Sequence, residues 1–161
     1  MNDECLRIAD QLHRAFNGEA WHRPSLQELL RQVKAQEAAT HPGGNAHSIW
    51  EIVLHIRTWA NAALQANRGI PVPASVNDLP LEQDWPPVKE QTAAAWDGAI
   101  QQIFAIAQEL ETVIKTFDEA RLRNTVPGRD YNFYFLFHGV VQHSLYHAGQ
   151  IALLKKMTVG G

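Results

Sequence analysis

Cysteine is nearly missing from this chain of 161 residues: Cys5 stands alone, so no internal disulfide is available, and no neighbour marks it as an activated nucleophile. Charge of one sign is also lacking. Fourteen Lys and Arg face seventeen Asp and Glu, for a formal net charge of −3, and the cations are scattered, which argues against a nucleic-acid partner. No apolar run approaches the roughly 20 residues that span a bilayer, so no membrane partner is expected. The opening residues MNDECLRIADQLHRAF are acidic and carry no signal-type apolar run, and a cytoplasmic location follows as an expectation. There is no internal repeat, heptad seam, glycine-rich phosphate loop or low-complexity segment. What remains is a 45% hydrophobic chain able to bury one core, read as a single domain over 1–161.

Helical periodicity dominates. Leu6, Ile8, Ala9, Leu12 and Phe16 form a stripe over about residues 3–16, halted by Asn17 and Gly18. Ser25 and Glu28 make a capping-box pattern before a second, shorter helix that ends ahead of HPGGN. The same box recurs at Ser48 and Glu51, opening a helix that fades near Gly69. From Ile70 to Pro87, five prolines (Pro71, Pro73, Pro80, Pro86 and Pro87) exclude a helix interior and predict a long loop, with Trp85 packed on the bundle. A long helix is expected over roughly 88–117, a connection over 118–130, and a final helix over about 132–156. YNFYFLF has strand propensity by itself but runs without a breaker into HGVVQHSLYHAGQIALLKK, and one continuous helix satisfies both parts. These elements predict an all-α fold: a four-helix bundle with an additional short helix and a long proline-rich loop.

Eight histidines are present, and three stand apart. His143 and His147 are four residues apart, so at about 100° per residue they share one helix face and can reach one metal ion. His55, in HSIWEIVLHIRTWA, lies on another helix that a bundle can bring opposite. Neutral imidazoles suit zinc, nickel, copper and iron, and three protein ligands with one free position are the usual catalytic zinc arrangement. Hydrogen-bonded packing is the alternative for an i, i+4 pair. Gly139 shares the face of the pair and leaves room for a helix or a substrate. Gln150, three beyond His147, is placed to orient a ligand or contact a substrate, and Tyr146 is placed to donate a proton, with packing its plainer role. Glu51 is read as a cap. His138 lies about 140° away from His143 and is excluded from the same ion. His13, His22, His41 and His47 are read as solvated surface. Trp50, Trp59, Trp85 and Trp96 are read as core or interface, with Trp59 a candidate cavity wall.

HSIWEIVLHI, DWPPV and HGVVQHSLYHAGQIALL, in this order, resemble the DinB/YfiT-like superfamily over most of the chain. The resemblance implies a bundle of up-down-down-up topology, often homodimeric. It also implies a divalent metal, commonly nickel or zinc, on a histidine triad that falls here on His55, His143 and His147. Relatives include thiol-dependent S-transferases, so the leading expectation is a metal-dependent transferase that holds a low-molecular-weight thiol as thiolate for attack on an electrophile. Hydrolysis by metal-bound hydroxide, with Gln150 or Tyr146 meeting the developing charge, is the enzymatic alternative. A non-catalytic bundle with a stabilising metal is the alternative from another class. The proline-rich loop and the Tyr131 region are expected to set specificity for the electrophile.

Overall fold

The computed structural model describes residues 3–73 and 80–158, so part of the proline-rich loop lies outside the described residues. Seven α-helices occur among them: α1 (Asp3–Asn17), α2 (Leu26–Leu30), α3 (Ala35–Ala39), α4 (Ile49–Asn67), α5 (Leu81–Asp84), α6 (Ala93–Thr116) and α7 (Phe133–Thr158). A 3₁₀ turn at Glu119–Arg123 precedes the last of them. Four of these helices, α1, α4, α6 and α7, form the bundle.

Side-chain pairs between helices fix the chain directions. Trp50 meets Trp96, Arg57 hydrogen-bonds to Gln102, and Arg68 reaches Glu109 at 2.7 Å, so numbering climbs together along α4 and α6 and the two are parallel. On α1 and α6 the order reverses, since His13 pairs with Glu111 while Phe16 meets Phe104. It reverses again between α4 and α7, where His55 lies beside His147 and Trp59 beside His143. The topology is therefore up-down-down-up. A 19-residue α4 is about 28 Å long, and a parallel successor must begin back at its starting end. The long connection between α4 and α6 is the crossover that this geometry requires.

The helices begin where their caps allow. Ser48 Oγ accepts from the Glu51 N–H while the Ser48 N–H donates to Glu51 Oε2 at 2.8 Å, closing the expected capping box and settling Glu51 as a cap. Ser25 and Glu28 repeat the arrangement on α2. The predicted second helix is in fact two short ones, α2 and α3, separated by four residues. The helix expected from residue 88 starts at Ala93, because Thr92 Oγ1 accepts from the Ala95 N–H and caps it there. YNFYFLF does enter the last helix, with Asn132 Oδ1 accepting from the Phe135 N–H, after an isolated bridge between Thr125 and Asn132. Within the proline-rich loop, α5 was not foreseen.

The core is apolar and contiguous. Phe16, Ile8 and Leu12 from α1, Val53 and Ile56 from α4, Ile103 and Ile114 from α6, and Phe137 and Ile151 from α7 are essentially inaccessible. Trp50 and Trp96 are buried here too, and the Trp96 indole N–H donates to the Val33 carbonyl at 2.8 Å, which ties α6 to the segment between α2 and α3. They are core residues, and neither offers a face to a partner.

Candidate metal centre

His55 sits two turns into α4, and His143 and His147 lie on successive turns of α7, so antiparallel packing of the two helices brings the three rings together. One nitrogen from each falls within 4.8 Å of the others. His55 Nε2 and His143 Nε2 are 3.0 Å apart. Two ligands at 2.0 to 2.1 Å from a tetrahedral zinc are separated by about 3.3 Å, so the pair is already close to ligand spacing. Among the described residues, no fourth cysteine, histidine, aspartate or glutamate joins the cluster.

Hydrogen bonds at the far side of two rings decide which nitrogen faces inward. His55 Nδ1–H donates to the Asp84 backbone carbonyl at 2.8 Å, with Asp84 Oδ1 at 3.2 Å, which leaves the Nε2 lone pair free toward the cluster. His147 Nδ1–H donates to Gln150 Oε1 at 2.7 Å with the same effect. Metal-ligating histidines are ordinarily held in this way. His143 Nδ1 is buried without a partner, so this ring is placed by packing.

Burial keeps the three rings unprotonated. It is the largest influence on each, lowering His55 and His147 below the ordinary value of 6.5 against the opposing pull of Asp84 and Gln150. His143 is lowered to about 3, first by burial and then by its two histidine neighbours. Three neutral imidazoles with lone pairs converging at this spacing fit a borderline divalent cation.

Asp84, the last residue of α5, and Trp85, packed on the bundle as expected, complete the support; the role of Asp84 has no signal in the sequence. The Asp84 carboxylate is buried and also accepts the Trp59 indole N–H at 2.8 Å. Trp85 lies flat on His55, with ring centroids 3.8 Å apart and 4° between planes, and its other face stacks on His47 at 3.6 Å. The reading of His47 as solvated surface is thus corrected: it is half-buried and lines the cavity beside the triad. The available signal was Trp85 followed by two prolines, which restricts the residue before them to extended backbone; it adopts φ −117°, ψ 81°.

The triad forms part of the wall of a cavity of about 860 Å³ between α4, α7 and the loop carrying Asp84. Trp59 lines it, as expected, and so do Tyr131, Gln150 and Tyr146. A Cβ built on Gly139 would meet nothing within 4 Å, so this glycine opens space toward the cavity rather than admitting a tightly packed helix. Tyr146 is 66% exposed at the rim. The remaining histidines stay outside the cluster: His13 pairs with Glu111 at 3.0 Å, His138 lies 3.7 Å from Glu4, His41 is 3.6 Å from Glu51, and His22 is exposed.

Gln150 is therefore placed to act on His147. Its replacement by leucine should weaken zinc binding by about 10- to 100-fold, measured by competition with a chelating indicator, while leaving the helical spectrum unchanged. Affinity within about threefold of the unaltered protein would show that packing alone orients His147.

A sequence profile of the DinB superfamily matches residues 20–151. No curated protein and no solved structure shows significant similarity to the chain.

Proposed function

This chain belongs to the DinB superfamily, and on that premise we propose that it is a metal-dependent enzyme that transfers a low-molecular-weight thiol to an electrophile. His55, His143 and His147 are the proposed ligands, and zinc or nickel the proposed ion. The observation that carries the reading is the position of the triad on the wall of a cavity of about 860 Å³. A stabilising ion gains nothing from such access, whereas a reacting one requires it. When bound, the ion supplies a Lewis acid able to keep a thiol, or water, ionised at neutral pH.

The chain's own groups have separable roles. The three imidazoles present neutral nitrogens, Asp84 and Gln150 hold two of the outward N–H groups, and Trp85 covers one face of His55. Trp59, Val140 and Leu136 line the space beside the cluster with largely apolar surface, where a nucleophile would be less well hydrated than in bulk water.

Cobalt-substituted protein offers the direct test. Adding a physiological thiol should produce a thiolate-to-cobalt absorption band, and the loaded protein should consume thiol with an electrophile such as a chloronitrobenzene. A spectrum unchanged across a panel of such thiols would exclude the thiol reading while leaving the metal in place.

We also propose a symmetric homodimer in the cytoplasm. Phe135, Leu153 and Met157, all more than 60% exposed on α7, supply the apolar face that the buried tryptophans do not, and since they also line the cavity a partner seated there would border its opening. Sedimentation should show dimers at micromolar concentration; monomers throughout that range would contradict it. Among the described residues, no helix is long and apolar enough to cross a membrane.

A further inference from the structure

The space beside the triad has a definite chemical character. Its wall is built from Ile52 and Ala62 on α4, Leu136, Val140 and Leu154 on α7, and Val72 from the loop. No lysine, arginine or glutamate occurs among the described lining residues. The one carboxylate there, Asp84, is buried and already engaged by the Trp59 indole and by His55. A charged group placed in this space would lose its hydration and find no counter-ion, which strongly disfavours it. Three imidazole nitrogens converge on one part of the wall, and the other polar side chains lining it include His47, Gln150, Tyr131 and Tyr146. A volume of about 860 Å³ accommodates a molecule of ordinary drug size.

We infer that the cavity takes an amphipathic substrate: a small electron-rich head directed at the triad, and an uncharged apolar body lying along α4 and α7. The body is several carbons long or an aromatic ring system. A polyanionic thiol fits only by its sulfur end, its charged groups staying in solvent. The inference rests on the proposed metal centre for the head and on the apolar wall for the body.

Three hydroxamates test it on zinc-loaded protein by calorimetry: acetohydroxamate, octanohydroxamate, and an eight-carbon hydroxamate ending in a carboxylate. Each methylene that is buried contributes about fourfold in affinity. Octanohydroxamate should therefore bind at least about 100-fold more tightly than acetohydroxamate, and the terminal carboxylate should remove most of that gain. Ala62→Glu, at a half-buried position on the wall, should weaken octanohydroxamate about tenfold or more and leave acetohydroxamate within about threefold. Equal affinity for the short and long chains, or no loss on adding the carboxylate, would overturn the inference while leaving the metal centre standing. If no hydroxamate binds, the metal centre fails, and 1-octanol decides the rest. Saturable octanol binding that is lost in Ala62→Glu sustains the apolar site, and its absence overturns it.

Discussion

Replacing His143 by alanine should reduce bound zinc from about one ion per chain to nearly none after gel filtration, a loss in affinity on the order of 10³-fold. His143 is central because its Nε2 lies 3.0 Å from that of His55 and its neighbour His147 is one turn away. The fold should survive. Phe137 and Ile151 on the same helix are fully buried in the apolar core, and neither depends on the ligand. Atomic emission on the purified variant, with circular dichroism beside it, checks both halves of the statement. If the ion instead holds the bundle together, the variant's melting temperature should collapse along with its metal content. Retention of one ion per chain would remove His143 from the site.

Acid should destabilise the metal-free protein well before its carboxylates titrate. In the folded chain the triad rings are held unprotonated, His143 down to a value of about 3, whereas in the unfolded chain they take up protons near 6.5. Protons therefore favour the unfolded state. The stability associated with the neutral rings is fully present above about pH 6.5 and is lost progressively as pH falls from there toward 3. His143 alone sets a slope of up to about 1.4 kcal/mol per pH unit within that window. His55 and His147, lowered in the same direction by burial, steepen its upper part. Urea unfolding at pH 7.5, 6 and 5 measures this, and His143→Leu should flatten the curve. Equal stability at the three pH values would mean that the rings take up protons as readily in the folded protein as in the unfolded one.

Much of this organisation was legible in the sequence because its signals are local. The capping boxes at Ser25 and Ser48 rest on residues three apart, and the His143 and His147 pair on a single helical turn, so each can be read without knowing the tertiary structure. The choice of His55 as their partner followed from its helix and from the family resemblance, and the convergence of the three nitrogens agrees with it. Asp84 escaped because its role depends on the loop returning across α4, a contact over 29 residues with no periodic signal. His47 escaped for the same reason, since a half-buried ring just ahead of a helix looks solvated until Trp85 is laid upon it. The sequence places the start of α6 too early because no breaker stands between Pro87 and Thr92, while the side chain that caps the helix decides where it opens.

The antiparallel meeting of α4 and α7 also orders events in the life of the chain. His55 and His143 are 88 residues apart, so the emerging polypeptide presents one imidazole of the triad once α4 is made and acquires the other two only with its last helix. A lone imidazole is a weak and unselective ligand. An ion held by the proposed triad would therefore be captured after the bundle has closed, by a cluster whose spacing is already set, and the finished fold rather than the growing chain would discriminate among cations.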